Sequence, residues 1–208
     1  MNILKLSRNV ALTLGVALGA LSSTAMAVPC TTISNIGEWE AAGSCDQGDK
    51  LWTIGDNTLD GGVLVLFSSP IEDIHVMQLV GFDTSDAAGN WSIDYTISVT
   101  APNFFIDAMF AGADNPGGLG SLLTKDVTGD EVFSIDVLNG AEDAGSGRVG
   151  LSATNLNISE TFSVAANAQL LSVSNTYRQA ERVVPEPGSL ALIGLALAGL
   201  AVVRRRRV

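Results

Sequence analysis

Apolar and polar residues alternate through much of the chain, and residues 91–99 show the pattern most clearly. The odd positions from Trp91 to Val99 are apolar, whereas the even positions from Ser92 to Ser98 are polar. An alternation with a period of two places the apolar side chains on one face of a β-strand. The same alternation, or a short apolar run, predicts further strands at residues 50–54, 63–67, 74–80, 133–137, 149–154, 158–164 and 171–177.

Clusters of Gly, Asn, Asp and Pro at residues 86–90, 113–118, 128–130 and 139–147 separate these segments and indicate turns. No amphipathic helix is indicated between the strands, although residues 36–42, before the first strand, could form a short helical turn. Strands with one apolar face, joined by turns and without amphipathic helices, favour antiparallel pairing and two packed sheets. The sequence therefore predicts an all-β fold, an antiparallel two-sheet β-sandwich.

The N-terminal end has the layout of a secretory signal peptide. Basic residues precede an apolar run at residues 10–21, and small residues follow it up to Ala27. Ala25 and Ala27 form a small-residue cleavage site, so the mature chain is predicted to begin at Val28. An uncleaved N-terminal anchor is the alternative.

The C-terminal end is apolar and uncharged at residues 189–203, and then has four arginines, Arg204, Arg205, Arg206 and Arg207. This run is close to the shortest helix that crosses a bilayer, for which roughly 17–25 residues are usual. The arginines favour a cytoplasmic C-terminus, which leaves the N-terminus outside. The predicted divisions are a signal peptide at 1–27, a secreted domain at 28–177, a stalk at 178–184 and an anchor segment at 185–208, with its transmembrane helix at about 188–203.

The residues that open this tail are Val184, Pro185, Glu186, Pro187 and Gly188. Followed by a short apolar helix and an arginine cluster, they resemble the PEP-CTERM sorting signal, also labelled "ice-binding protein C-terminal domain". The resemblance implies a bacterial envelope protein that an exosortase, a membrane transpeptidase-like enzyme, cleaves near the motif. It also implies a host that makes exopolysaccharide or biofilm. It indicates a destination and not an activity.

A second resemblance covers residues Ser44 to Trp52, in which a cysteine is followed by Gly-Asp-Lys and then by an aromatic residue. It is similar to a stretch of secreted, uncharacterised proteins that have the same tail. It implies a shared β-rich domain and no particular activity.

The predicted mature part is strongly acidic. Residues 28–184 contain five basic and 21 acidic residues, and hence a formal net charge of −16. Such a charge repels nucleic acid and keeps a secreted protein in solution, so no nucleic-acid partner is predicted. The alternatives to a merely solvated surface are binding of divalent cations, calcium above all, or cation-bridged contact with acidic exopolysaccharide.

Two cysteines, Cys30 and Cys45, are present in a chain predicted to reach an oxidising compartment. They are predicted to form a disulfide. It closes a loop of about 15 residues, which corresponds to about 3 kcal/mol in the chain-entropy description. A zinc site is the alternative, but neither cysteine has a nearby histidine.

Candidate chemistry is sparse. The single histidine, His75, lies in an apolar segment and is interpreted as structural. Asp56 and Asp60 resemble the start of a calcium loop, but Phe67 stands where such a loop needs a glutamate, so an Asx turn is the competing interpretation. The three tryptophans suit either a sugar-stacking platform or core packing. They are Trp39, Trp52 and Trp91.

The sequence therefore predicts an exported cell-envelope or extracellular-matrix protein without enzymatic activity or cofactor, membrane-tethered as a precursor and processed by an exosortase. The first alternative is a carbohydrate-binding module associated with exopolysaccharide. The second is a secreted hydrolase that uses two of the many carboxylates.

Overall fold

A computed structural model describes residues 27–82, 88–114, 120–138, 147–166, 168, 170–182 and the three residues 193, 195 and 197. The part described within residues 27–182 contains twelve strands and one short α-helix, together with a 3₁₀ helix at Cys30–Thr32. The elements are β1 Val28–Pro29, α1 Ile36–Ala42, β2 Ser44–Gln47, β3 Lys50–Asn57, β4 Leu64–Ile71, β5 Ile74–Val80, β6 Gly89–Val99, β7 Phe104–Asp114, β8 Ser121–Gly129, β9 Phe133–Leu138, β10 Gly147–Ala153, β11 Asn155–Val164 and β12 Ser172–Glu181.

The strands form two sheets, which confirms the predicted β-sandwich. The large sheet has the order β1-β2-β3-β6-β11-β8-β9, and the small sheet has the order β10-β7-β12-β5-β4. Neighbouring strands are antiparallel, except that β1 and β2 are parallel. The two inner faces meet in one apolar core, to which most strands contribute alternate residues.

Strands β6 and β11 lie at the centre of the large sheet and pair along their whole length, from Asn155 opposite Ser98 to Val164 opposite Gly89. Their alternation is regular: Ile97 and Phe162 are buried, and the polar residues between the buried ones face outward. The alternation of β6 is the one that the sequence shows most clearly.

Strands β7 and β8 are absent from the sequence prediction. In β7, alanines and a glycine replace the large apolar residues of a regular alternation, and a register shift interrupts its pairing with β12. In β8, the inward position between Leu123 and Val127 is held by Lys125, which reverses the expected polarity. Both patterns therefore lack the apolar face on which the prediction depended.

The predicted stalk at 178–184 begins too early. Strand β12 continues through Glu181, and Gln179 and Ala180 pair with Ile106 and Phe105 of β7. The pairing of β12 with β7 resumes after the register shift at Arg178 and continues beyond the expected end of the domain. The sheet therefore extends almost to the predicted sorting segment.

Helix α1 occupies the predicted residues 36–42. Asn35 caps it by accepting the backbone N–H of Glu38 at 2.9 Å, and the Glu38 carboxylate accepts the N–H of Ser34 at 2.8 Å. Gly43, with φ of 72°, ends the helix.

Much of both predicted targeting ends lies outside the described residues. Ala25, the motif residues 184–188 and Arg204–Arg207 are among them. Ala27 immediately precedes β1, and Val28 begins it. Of the predicted transmembrane helix at about 188–203, the structure describes only residues 193, 195 and 197, which are helical and exposed. Within the described part of the chain, no helix combines the length and apolarity needed to cross a membrane.

Candidate functional site

The predicted disulfide is formed. Cys30 and Cys45 are both buried, and their Cα atoms are 4.8 Å apart. The bond joins the 3₁₀ helix to β2, which continues into the hairpin with β3. It therefore fixes the first described residues, and this hairpin, to the sandwich.

Of the two candidate calcium ligands, Asp56 lies at the end of β3 and Asp60 lies in the loop between β3 and β4. Asp60 Oδ1 accepts the backbone N–H of Gly62 at 2.7 Å, which is the geometry of an Asx turn. Among the described residues, no three histidine, cysteine, aspartate or glutamate side chains are grouped so that they could hold a metal ion. The structure therefore does not add a third ligand to Asp56 and Asp60.

The tryptophans pack inside the protein. Trp39 and Trp52 are fully buried, and their rings lie 5.1 and 5.3 Å from the ring of Phe67. Trp91 is half-buried and packs 6.0 Å from Phe82. Core packing is thus the role of Trp39 and Trp52, and neither ring is available to stack on a sugar.

The outer face of the large sheet has a shallow groove with a volume of about 470 Å³. The strand register places Thr53, Thr96, Asn157 and Thr128 in one row across β3, β6, β11 and β8. Thr96 Oγ1 donates to Asn157 Oδ1 at 2.9 Å within this row. The row offers hydroxyl and amide groups side by side, which suits a ligand that has many hydroxyl groups.

A second row in the same groove is acidic. Asp94, Ser159 and Asp126 are neighbours across β6, β11 and β8. All three residues line the groove. Two carboxylates separated by a serine add acceptors for hydroxyl protons and a local negative charge.

Polar residues gather at one end of the sandwich in what we name the end cluster: Lys50, His75 and Gln179, which are buried, and Asp49, which is half-buried. Lys50 Nζ lies 2.6 Å from Asp49 Oδ1 and donates to Gln179 Oε1. His75 Nε2 lies 3.6 Å from Asp49 Oδ1, and its Nδ1 is 3.3 Å from the Ser69 hydroxyl. A cavity of about 330 Å³ adjoins these residues.

Burial governs the protonation of this cluster. It lowers the pKa of Lys50, while the hydrogen bond and charge of Asp49 oppose the shift. Burial also lowers the pKa of His75, and the positive charge of Lys50 lowers it further. His75 is therefore held in its neutral form, consistent with the structural role that the sequence indicated.

A second group of polar side chains lies between the sheets, and we name it the core cluster: Tyr95, Lys125, Glu160, Asn175 and Tyr177. Lys125 Nζ lies 2.9 Å from Glu160 Oε1 and donates to Asn175 Oδ1. Asn175 Nδ2 donates to Glu160 Oε2 at 3.3 Å. Tyr95 donates its hydroxyl proton to Glu160 Oε1, and the two tyrosine hydroxyls are 2.7 Å apart.

The core cluster is shielded from water. The side chains of Lys125 and Glu160 are both 0 % exposed. Burial lowers the pKa of Lys125 against the opposing attraction of Glu160. Burial, with the nearby Glu160 charge, raises the pKa of Tyr95 and of Tyr177 well above the ordinary tyrosine value. Burial thus acts against the charged form of each of these three residues.

Sequence reasoning missed this cluster, although two signals were present. Lys125 and Glu160 each stand at a position of their strand whose neighbours of the same parity are apolar. A charge at such a position predicts a partner inside the core. The sequence alone does not show that Lys125, Glu160 and Asn175 meet.

Comparison with known proteins identifies the tail. Residues 183–207 match the family described as the PEP-CTERM protein-sorting motif. No curated protein matches the chain. Among solved structures, one described as TmCBM61 in complex with beta-1,4-galactotriose is similar over 63% of this chain and 88% of that chain, with 12% identity and a TM-score of 0.35.

The sorting motif begins directly after the described end of the sandwich, since β12 ends at Glu181 and the match starts at residue 183. A motif of this family directs a protein to export and to an exosortase. The chain therefore carries a PEP-CTERM protein-sorting motif directly after its β-sandwich.

Proposed function

We propose that the protein is a non-enzymatic component of the cell envelope or extracellular matrix, held in the membrane as a precursor until an exosortase processes its tail. The observation that carries this proposal is the position of the motif at residues 183–207, immediately after β12. Cleavage near Pro185 leaves every described strand intact. The mature sandwich then reaches its destination as a folded unit.

The precursor's membrane attachment is part of the same proposal. Residues 189–203 are uncharged and apolar, and Arg204–Arg207 follow them. This order favours a single span with the sandwich outside and the arginines in the cytoplasm. The signal peptide at residues 1–27 supplies the export that this topology needs.

The mass of the mature protein, recovered from envelope or medium of the native host, tests the proposal. We expect a chain that starts at Val28 and ends near Pro185, and a full-length tail when the exosortase gene is deleted. Glu186→Ala should block processing, whereas Glu181→Ala, outside the matched residues, serves as the control. A mature protein that retains Arg204–Arg207 in cells with active exosortase would contradict the proposal.

A second candidate function is binding of exopolysaccharide on the outer face of the large sheet. Its support is the groove of about 470 Å³, whose rows of hydroxyl, amide and carboxylate groups match a polyhydroxylated chain. Since Trp39 and Trp52 are buried, hydrogen bonds rather than ring stacking would provide most of the contact.

Affinity electrophoresis with neutral and acidic polysaccharides, each with and without calcium, tests this second candidate. Asn157→Ala should weaken retention of the protein, whereas Gln78→Ala, on the small sheet, should leave it unchanged. Equal retention of both variants and the original protein would show that the groove does not bind the polysaccharide. Retention only with calcium and an acidic polymer would indicate a cation bridge.

A further inference from the structure

We propose that Lys125 and Asn175 join in an intramolecular isopeptide bond across the two sheets, and that the protein forms this bond itself with Glu160 as the catalytic residue. The bond links β8 of the large sheet to β12 of the small sheet. It makes the core cluster a self-modification site, independent of the processing of the tail.

The first support is the placement of the two groups that react. Lys125 Nζ donates to Asn175 Oδ1, so the amine lies against the carboxamide whose carbon it would attack. The two residues come from strands of different sheets, and each points into the core. Packing therefore holds amine and amide together without any mobile loop.

The second support is the carboxylate that touches both reacting residues. Glu160 Oε1 lies 2.9 Å from Lys125 Nζ, and Oε2 lies 3.3 Å from Asn175 Nδ2. One oxygen thus contacts the nucleophile, and the other contacts the leaving group. This is the geometry that a group needs to take a proton from one nitrogen and give a proton to the other.

The third support is the dry surroundings. An amine attacks only in its neutral form, and burial without water favours a neutral amine and carboxylic acid over an ammonium and carboxylate. The lowered pKa of Lys125 acts in the same direction. The ring of Tyr177, 5.8 Å from Lys125 Nζ, and the Tyr95 hydroxyl on Glu160 complete the enclosure.

The reaction balances without an added reagent. Lys125 Nζ gives a proton to Glu160, and its lone pair then forms a bond to Asn175 Cγ while the carbonyl electron pair moves to Oδ1. Glu160 gives its proton to Nδ2 and takes another from Nζ. The Cγ–Nδ2 bond breaks as the carbonyl re-forms, and ammonia leaves. Nothing is oxidised or reduced, and water takes no part.

Mass spectrometry of the denatured, intact protein from its native host is the decisive measurement. We expect a mass lower by one ammonia than that of the disulfide-bonded sequence. After reduction, trypsin should release residues 51–148 joined to residues 149–178, with the bond after Lys125 uncut because its amine is acylated. The sequence mass without loss, together with separate peptides ending at Lys125 and at Arg178, would overturn the proposal.

Another source of ammonia loss is distinguishable in the same experiment. Asn139 is followed by glycine, a sequence that can form a cyclic imide with the same change in mass. That loss maps within residues 126–148 and leaves Lys125 open to trypsin, so finding it alone would also overturn the proposal. A cross-link between Lys50 and Gln179 instead would do so as well.

Three variants assign the roles. Glu160→Gln keeps the shape of the side chain but removes the proton acceptor, and Lys125→Met removes the nucleophile, so both should abolish the ammonia loss. Lys50→Met, which alters the end cluster, should retain it. Should the first two variants fail to fold, the peptide map of the unaltered protein still decides. A complete ammonia loss in Glu160→Gln would contradict the catalytic role of Glu160.

Discussion

The core cluster and the end cluster contain the same kinds of group in different settings. In each, a buried lysine donates to a side-chain amide on the inward face of β12, Asn175 in one and Gln179 in the other. In the core cluster, Glu160 is 0 % exposed and contacts both the lysine and the amide. In the end cluster, Asp49 is 22 % exposed and lies between Lys50 and His75.

This difference shows that the position of a carboxylate, and not the residue types alone, separates an ion pair from a reactive site. Asp49 is partly exposed, so water stabilises its charge and the ion pair with Lys50. Glu160 is not exposed, and its two oxygens face the two nitrogens of the proposed reaction.

Removing Glu160 should have the largest effect. Glu160→Ala leaves Lys125 inside the core without its carboxylate and prevents the proposed link. We expect the free energy of unfolding to fall by about 3–5 kcal/mol. Urea denaturation measures it. Ser159→Ala, the exposed neighbour in β11, is the matched control and should change stability by less than about 0.5 kcal/mol. A similar loss of stability in both variants would show that the core cluster contributes little to the stability of the fold.

Removing the disulfide should affect the end cluster and spare the core cluster. The double variant Cys30→Ser with Cys45→Ser should lose about 3 kcal/mol of stability. It frees the β2–β3 hairpin that bears Asp49 and Lys50, so faster hydrogen exchange is expected there and unchanged exchange at Glu160. The ammonia loss should persist in this variant. Its disappearance would mean that the two clusters depend on each other.

Lys50→Met should be milder than Glu160→Ala, because the remaining Asp49 is partly exposed and regains water. We expect a loss of about 1.5–3 kcal/mol, the usual range for a hydrogen bond to a charged group. The variant should also raise the pKa of His75, since Lys50 lowers it. An NMR titration follows that pKa directly, because His75 is the single histidine of the chain. An unchanged or lower pKa of His75 in this variant would show that Lys50 is not what lowers the pKa of His75.

The smallest effect concerns pH. The pKa of His75 is lower in the folded protein than its ordinary value of 6.5. The unfolded chain therefore binds the proton first as the pH falls, so the stability is fully present above 6.5 and is lost as the pH drops through the folded-state pKa. Urea midpoints between neutral and mildly acidic pH measure this slope, and His75→Asn should flatten it. If His75→Asn leaves the slope unchanged, other titratable groups cause the pH dependence of stability.

Sequence was sufficient for the fold class because strands such as β6 and β9 have one apolar and one polar face. It was insufficient for β8, where Lys125 occupies an inward position and hides the alternation. Proteins tend to break local rules at sites with a special role, and here the misleading residue is the proposed nucleophile. Lys125 is therefore the reason why the sequence indicated neither strand β8 nor the core cluster.

The sites differ in how far sequence reaches them. The pairing of Cys30 with Cys45 follows from their number and compartment, and the tail follows from a contiguous motif. The groove and the core cluster depend on register between strands far apart in the chain, such as Asn157 opposite Thr96. A single sequence contains no measure of that register, so neither could be derived before the sheets were known.

The central position of β12 has a mechanical consequence. Because β12 lies between β7 and β5, a force applied to the tail pulls a strand lengthwise against neighbours on both sides. Hydrogen bonds in antiparallel sheets lie perpendicular to the strands, so such a force shears both ladders at once instead of opening them one bond at a time. Arg178 adds resistance near the point of attachment through its paired bonds to Asp107 of β7, at 2.9 and 2.8 Å. The proposed link at Asn175 would pass the remaining tension to the opposite sheet.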